Sequence, residues 1–143
     1  GMRNLLLKEA YMKALSEAGE EEGSYFSSKE TRILEKSVNE LTLQQASVQE
    51  VLSVSLNGKL HIHSKKSDLS QYTSFYRNGE ILKQDWIKEA QDADGKELIL
   101  GSNALTGKED TLSIVKYLRG YQEDSGVGYL VVNVSKKYFQ KSV

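Results

Sequence analysis

Cysteine and proline are both absent from this 143-residue chain. Without cysteine there can be no disulfide bond, zinc–thiolate site or thiol catalysis, and the composition fits the cytosol as well as a disulfide-poor extracellular setting. Without proline, helices and strands can run long and uninterrupted. No apolar run approaches the roughly 20 residues that a membrane-spanning helix needs. Gly1 before Met2 is not a natural start, so we expect a piece of a longer protein.

An excess of charge of either sign is also absent. The net charge is −1, which gives no overall attraction to nucleic acid or to an anionic membrane. Hydrophobic residues make up 38% and charged residues 27% of the chain, a balance typical of one globular domain with its own core. Nucleophile elbows, phosphate loops and metal-binding helix motifs are missing as well. The sequence therefore predicts no catalytic residues, and we expect no cofactor.

The most informative stretch is the pair of β-like segments near the end of the chain. The first, Leu112 to Tyr121, mixes β-branched, aromatic and basic residues, and the second, Tyr129 to Val134, is an almost unbroken apolar run. Such a short apolar run is typical of a strand that is covered on both faces. The polar turn between them, Gln122 to Gly128, favours an antiparallel pair in the middle of a sheet.

Two amphipathic helices precede the strands. The first is predicted over about Arg3 to Ala18, with an apolar stripe made of Leu7, Ala10, Tyr11, Ala14, Leu15 and Ala18. The second opens on the capping box Ser27-Ser28-Lys29-Glu30 and runs to about Ala46. The two helices either pack on each other as a hairpin or pair with a second copy of the chain.

A β-hairpin is predicted next, because apolar and polar residues alternate on both sides of Leu56-Asn57-Gly58. A three-residue loop with glycine in the left-handed last position is a common connection. It places Val54 opposite Leu60 and Leu52 opposite Ile62, so that the apolar pairs share one face. A two-residue loop would mix the two faces, and we reject it.

The rest of the chain is predicted as short elements, each marked by a cap or a turn. In order these are a short helix capped by Ser67 and carrying Leu69, Tyr72 and Tyr76, a turn at Arg77-Asn78-Gly79, a helix from Trp86 to Gln91 capped by Asp85, a turn at Asp94-Gly95, a strand from Glu97 to Leu100, and a closing helix or exit from Lys136 to Ser142. The fold class is α+β: a five-stranded antiparallel sheet flanked by helices. We assign residues 1–47 to a helical region and residues 48–143 to the sheet-bearing core.

In this order the segments resemble the PAS-like Cache sensor domains of bacterial histidine kinases, notably those of the YesM type. The residues that carry the resemblance are the amphipathic front, the hairpin Leu56-Asn57-Gly58-Lys59-Leu60, Trp86 followed by Ala90 and Gly95, Ser113 to Leu118, and Gly128 to Val134. Together they cover about three quarters of the chain. Each motif is weak alone, and the spacing is what indicates the family.

The resemblance implies a non-catalytic, extracytoplasmic input domain of a membrane-anchored sensor kinase. The first helix would then follow one membrane span, and the end near Val143 would lead to a second sensor lobe or to the returning span. A small extracellular ligand such as a sugar, or a solute-binding protein, is the implied partner, and the receptor is expected to be a homodimer. Nucleic acid is not an expected partner.

Aromatic and polar residues of the predicted core are the candidate ligand contacts. Trp86, Tyr72, Tyr76 and Arg77 combine ring faces with a guanidinium, which suits a sugar or another small polar ligand. The alternative is that Trp86 fills the core beside the sheet. Three further candidates lie on the last two strands, where a polar group needs a partner: Tyr117, Arg119 and Asn133.

His61 and His63 stand two apart on a predicted strand and therefore share a face. Two such histidines could begin a metal site, but neither cysteine nor an obvious third ligand accompanies them, and we predict no metal. Polar residues that are exposed or line a pocket are the simpler interpretation. A third interpretation is a pH response, because imidazole titrates near neutrality.

Three rival functions remain open on the sequence. The same fold could serve as a protein-interaction module without a small ligand, pairing through the Leu7-to-Ala18 stripe. It could instead be the sensor domain of a chemoreceptor. A small intracellular enzyme is the third possibility, and membrane spans on both sides in the full-length protein would exclude it.

Overall fold

The computed structural model describes residues 9–65, 69–77, 79–101, 110–120 and 126–137. Its helices are α1 (Glu9–Glu20), α2 (Ser28–Gln44), two 3₁₀ helices (Ser70–Tyr76 and Glu80–Lys83) and α3 (Asp85–Ala93). Its strands are β1 (Val48–Ser55), β2 (Leu60–Ser64), β3 (Leu98–Leu100), β4 (Thr111–Arg119) and β5 (Gly126–Ser135). Among these residues, no helix is both long and apolar enough to span a bilayer.

The five strands form one antiparallel sheet in the order β2-β1-β5-β4-β3. The last strand, β5, lies in the centre and is buried from Gly126 to Val134. A strand with neighbours on both edges and cover on both faces must be apolar on both faces, which explains its unbroken run. The predicted α+β fold and the central antiparallel pair β4–β5 are confirmed.

The β1–β2 hairpin has the predicted register. Val54 pairs with Leu60 and Leu52 with Ile62, and the Gly58 amide donates to the Ser55 carbonyl at 3.0 Å. Gly58 has a φ of 90°, a conformation that side chains strongly disfavour. The three-residue loop therefore sets which face of β1 meets the core.

One face of the sheet is covered by α1 and α2, which pack on each other and on β1 and β5. Tyr11 and Leu15 of α1 are fully buried, in one core cluster with Leu34 and Val38 of α2. The helical region and the sheet thus share a core. The described part of the α1 stripe packs on α2 and on the chain's own sheet, as the hairpin alternative predicted, and Tyr11, Leu15 and Ala18 are fully buried there.

The start of α2 is held by the predicted capping box. The Glu30 amide donates to the Ser27 hydroxyl at 3.1 Å, and the Ser27 amide donates to the Glu30 carboxylate at 2.8 Å. Two backbone donors that a helix start leaves unpaired are thereby satisfied.

The opposite face of the sheet is covered by the two 3₁₀ helices and α3. The prediction that Asp85 caps α3 is wrong, because Asp85 is its first residue and Gln84 occupies the cap position without a side-chain hydrogen bond. The turn predicted at Asp94-Gly95 is confirmed, with a φ of 48° at Asp94 and 89° at Gly95. The carboxylate of Asp85 at the first turn still complements the helix dipole.

Several predicted elements extend past the described residues. The Ser67 cap, Asn78 of the predicted turn, most of the turn after β4 and the region from 138 onward lie outside them. Residues 136–137 are helical, and nothing further of the predicted closing helix is described. The described helices begin or end within a few residues of the predicted bounds.

Candidate functional site

The face of the sheet that points away from α1 and α2, hereafter the candidate face, is organised in rows that cross the strands. Residues directly opposite each other in an antiparallel sheet have adjacent side chains. Register therefore turns residues that are far apart in sequence into neighbours. Three rows follow from the pairing: Ser64–Glu50–Asn133–Ser113, Ile62–Leu52–Val131–Val115 and Leu60–Val54–Tyr129–Tyr117.

The first row is polar and almost wholly buried. Glu50 is 3% exposed and Asn133 is fully buried. The Asn133 amide donates to Glu50 at 3.3 Å, the Ser113 hydroxyl donates to the Asn133 carbonyl at 2.6 Å, and the Ser64 hydroxyl donates to Glu50 at 3.3 Å. A continuous hydrogen-bonded row thus crosses four strands.

Tyr72, from the first 3₁₀ helix, adds hydrogen bonds to this row from the layer that covers the candidate face. Its hydroxyl donates to Glu50 at 2.8 Å and accepts from the Asn133 amide at 2.8 Å. Burial, and then the hydrogen bond to Glu50, raise the pKa of Tyr72, so the phenol keeps its proton and remains a donor. We call Glu50, Ser64, Tyr72, Ser113 and Asn133 the Glu50 cluster.

The charge of Glu50 has no cationic partner among the described residues, because its partners there are Ser64, Tyr72 and Asn133. A buried carboxylate is costly unless donors compensate for lost water. Three neutral donors compensate in part. The Glu50 cluster is therefore the place on this face where a ligand that brings donors would gain most.

The third row is aromatic. The Tyr117 and Tyr129 rings lie 5.3 Å apart between centroids, and Trp86 of α3 meets Tyr129 edge-on at 6.4 Å. Gln91 of α3 donates to the Tyr129 hydroxyl at 2.6 Å. Four residues along a strand separate this row from the Glu50 cluster, which is about 13 Å. The candidate face thus carries a polar end and an aromatic end with an apolar row between them.

The indole N–H of Trp86 is buried and has no hydrogen-bond partner among the described residues. Buried donors in proteins are normally paired. The indole is 5% exposed, so bulk water does not readily serve it. The aromatic end therefore presents a donor, whereas the Glu50 cluster presents an acceptor.

No family model and no curated protein matches the sequence. Solved structures do match its fold. The extracellular domain of the histidine kinase vpHK1S-Z8 superposes with a TM-score of 0.63 at 16% identity, over 96% of this chain and 49% of that one. A domain of a sensory box/GGDEF family protein from Vibrio parahaemolyticus gives 0.59 at 15% identity, over 96% and 52%.

The sensory domain of the Campylobacter jejuni chemoreceptor Tlp3, with isoleucine bound, gives a TM-score of 0.56 at 15% identity, over 93% of this chain and 52% of that one. The three neighbours are thus an extracellular domain of a histidine kinase, a domain of a sensory box/GGDEF family protein and the sensory domain of a chemoreceptor. The fold is that of a Cache sensor domain. The predicted Cache resemblance is confirmed at the level of the fold, and the chain spans about half the length of each neighbour. The narrower YesM type stays a prediction.

The predicted ligand contacts fall into separate groups. Tyr72 and Asn133 are brought together in the Glu50 cluster. Trp86 and Tyr117 lie at the aromatic end, where both contact Tyr129. Trp86 is part of the core there, as the alternative interpretation of the sequence had it.

Three other predicted contacts lie at the margin. Arg119 forms an ion pair with Asp94 at 2.6 Å and lies 5.9 Å from the Tyr117 ring centre. Tyr76 stacks on Tyr25 with the ring centres 6.3 Å apart, and burial raises its pKa. Arg77 is exposed. None of these contacts involves the Glu50 cluster.

Glu50 itself was not predicted from the sequence, although the hairpin register contains the signal. Leu52 and Val54 point to the apolar face, so Glu50, two residues earlier, must point there as well. The same step places Ser64 beside it. An acidic residue in a row of core positions is an indication of a buried polar site, and it was overlooked.

His61 and His63 lie on the opposite face, toward α2, and not on the candidate face. His61 is 9% exposed, so the expectation of an exposed histidine is wrong for this residue, and the pocket-lining alternative stays a prediction. Both contact Glu35 of α2. Among the described residues, no group of three or more potential ligand side chains is arranged to hold a metal ion.

Proposed function

We propose that this Cache domain is the extracytoplasmic signal-input domain of a membrane-bound sensor histidine kinase of the YesM type. It binds a small polyhydroxylated ligand such as a sugar on the candidate face. The observation that carries the proposal is the buried Glu50 cluster, which crosses four strands under the 3₁₀ layer. The domain itself is non-catalytic, and the kinase activity belongs to another part of the full-length protein.

A neutral sugar fits the chemistry of this face. Each hydroxyl group of a sugar donates and accepts, so a sugar can donate to Glu50 at the polar end, or accept from the Trp86 indole at the aromatic end about 13 Å away. Tyr72 and Tyr129 are almost completely buried, so their ring faces meet the C–H surface of a sugar ring only in an arrangement with the 3₁₀ layer displaced. An α-amino acid, such as the isoleucine bound by Tlp3, would place its ammonium group at Glu50 and need a cation for its carboxylate. Arg119 lies beyond the aromatic end of the face and is engaged by Asp94.

Signalling would proceed by a population shift. The ligand binds one arrangement of the sheet and its 3₁₀ layer more tightly, and the populations move by that difference in affinity. The helices α1 and α2 lie on the other face of β1 and β5, so a change in sheet packing reaches them directly. In the full-length receptor they lead toward the membrane, and a homodimer would pair through surfaces other than the buried α1 stripe.

A thermal-shift screen of the 143-residue chain tests the proposal with neutral sugars and branched amino acids as separate panels. A sugar at about a hundredfold its dissociation constant should raise the melting temperature by about 5 to 10 °C. Glu50→Gln should fold, because it removes a buried charge at nearly constant shape. It should lose most of that shift, since hydrogen bonds to a charged group are the stronger ones.

Glu9→Gln is the matched control, because Glu9 is an exposed carboxylate of α1 on the opposite side; it should keep the full shift. A response confined to amino acids would reject the sugar and retain a sensor of different specificity. If neither panel acts, direct sensing is rejected and the interaction module is favoured, with a solute-binding protein as its partner.

A further inference from the structure

Glu35 of α2 lies between the two histidines of β2. Its Oε2 is 2.8 Å from Nε2 of His61, and its Oε1 is 2.5 Å from Nδ1 of His63. One carboxylate of α2 therefore contacts two imidazoles of the edge strand β2 and links the two elements. The His61 side chain is 9% exposed and that of His63 is 16% exposed, whereas Glu35 is half-exposed. These three residues lie on the opposite side of the sheet from the candidate face, and their chemistry does not require the function proposed for that face.

The two imidazoles differ in whether both ring nitrogens have a hydrogen-bond partner, and therefore in how easily each ring can carry a second proton. An ionised carboxylate only accepts, so His61 donates from Nε2 and His63 from Nδ1. The second nitrogen of His63 lies 3.0 Å from the Thr42 hydroxyl, which is also 2.9 Å from the Asn39 carbonyl. This hydroxyl can accept from protonated His63 while it donates to Asn39, or it can donate to neutral His63 instead. His63 therefore has a partner on both nitrogens in either protonation state.

Within the described part of the chain, His61 has a hydrogen-bond partner on only one ring nitrogen, Nε2. Its Nδ1 is buried and without a hydrogen-bond partner among the described residues. In the neutral ring this nitrogen is an unprotonated acceptor, and its isolation is tolerated. Protonation would turn it into a buried donor with a positive charge and no acceptor, which is a much larger penalty.

The surroundings add little charge that could offset this penalty. Strand β1 presents Val51 and Ser53 opposite the histidines. The Tyr11 hydroxyl of α1 bonds to Ser53 at 2.7 Å, and burial raises the pKa of Tyr11, so it stays neutral. The remaining charged groups of the neighbouring elements are the exposed Lys29, Arg32, Lys36 and Glu40 of α2, and Lys59 of the hairpin with Glu21 and Glu30.

We propose that Glu35, His61 and His63 form a proton-operated latch, which holds α2 on β2 while His61 is neutral and releases it when His61 takes up a proton. Release exposes Nδ1 to water and removes the penalty. Ser64, the residue after His63, donates to Glu50 on the candidate face. Strand β2 thus connects the latch to the Glu50 cluster, and any coupling between the two is reciprocal.

The direction of the pH effect follows from burial. Burial holds the pKa of His61 below its ordinary value, against the opposing effect of Glu35. The unfolded chain takes up this proton near pH 6.5, and the folded chain takes it up only at lower pH. The stability contributed by neutral His61 is complete above about pH 6.5 and is lost as the pH falls through the folded-state pKa. Within that window the folding constant should fall by up to about tenfold per pH unit.

Urea unfolding of the 143-residue chain between pH 7.5 and 5 tests the latch. His61→Gln keeps a side-chain N–H for Glu35 but cannot take up a proton, so its folding constant should lose the pH-dependent fall. His63→Gln is the matched control, and it should retain the fall due to His61. The proposal is overturned if wild type shows no fall, or if His61→Gln and wild type have the same profile.

Amide hydrogen exchange on the wild-type chain gives a second test that needs no variant. After correction for the intrinsic pH dependence of exchange, opening of the last turns of α2, about residues 37–44, should increase by up to about tenfold per pH unit on acidification. The buried amides of β5 should open only through global unfolding and follow the fall measured in urea, whereas the last turns of α2 should open at a lower free energy. The same opening free energy in both elements at pH 5, or no change in α2, would contradict a local latch.

Discussion

Gly58 shows, at the scale of single residues, how one position can join two parts of the fold. A Cβ added there would lie 2.6 Å from the Gly79 Cα, closer than such atoms approach in proteins. Its backbone is also left-handed, with a φ of 90°. Position 58 therefore requires glycine for two separate reasons: the left-handed backbone at the hairpin tip, and the close approach of the turn before the second 3₁₀ helix.

Gly58→Ala should lower the free energy of unfolding by about 3 kcal/mol, from backbone strain and displacement of the turn together. Gly23→Ala isolates the first cause, because Gly23 has a φ of 102° with nothing within 4 Å of the added Cβ. It should cost about 1 kcal/mol. Urea unfolding measures both. Equal losses would show that the contact with Gly79 contributes nothing.

The Glu50 cluster also belongs to the residue scale, since its contacts join positions that are far apart in the sequence. Asn133 and Glu50 are separated by 83 residues, and Tyr72 and Glu50 by 22. The apolar run of β5 predicted a buried strand, and Asn133 stood out in it as a polar residue that needs a partner. The identity of that partner depends on the β1–β5 register, which no local pattern specifies.

At the scale of elements, α2 is the helix whose start is most completely defined by its own sequence. The capping box satisfies two backbone donors with residues three positions apart. Because all of its contacts are local, the motif could be predicted with its correct bounds. The cap of α3 could not, since Asp85 there enters the helix and Gln84 takes the cap position.

Ser27→Ala should lower the free energy of unfolding by about 1 kcal/mol, because the Glu30 amide loses its acceptor. Ser28→Ala is the control: Ser28 is the next serine, exposed at the first helical position. It should change stability by less than about 0.5 kcal/mol. Chemical denaturation of both variants checks the difference, and a larger loss for Ser28→Ala would contradict the assigned cap.

For the whole molecule, the central fact is that both faces of one sheet are covered. α1 and α2 cover one face, and the 3₁₀ helices with α3 cover the other. The stripe of α1 that suggested a dimer is used inside the chain, where Leu15 is fully buried. An amphipathic stripe predicts that one side of a helix is buried. It does not say whether a sheet of the same chain or a second chain buries it, and only the tertiary structure answers that.

Leu15→Ala should therefore destabilise the isolated chain by about 3 kcal/mol through loss of packing. The wild-type unfolding midpoint should not depend on protein concentration, because the contact lies within one chain. Lys13→Ala, at an exposed position of the same helix, should change stability by less than about 0.5 kcal/mol. A midpoint that falls on dilution would show instead that the stripe supports an intermolecular contact.

Local patterns were enough to determine the elements of this protein. The capping box of α2, the glycine-turned β1–β2 hairpin with its register, and the buried run of β5 follow from chemistry within a few residues of chain. The tertiary structure decided what those elements meet: it set Glu50 beside Asn133, turned His61 toward Glu35, and placed the sheet under α1. Such choices depend on long-range register and on competition for the same apolar surfaces, and neither is recorded in the spacing of neighbouring residues.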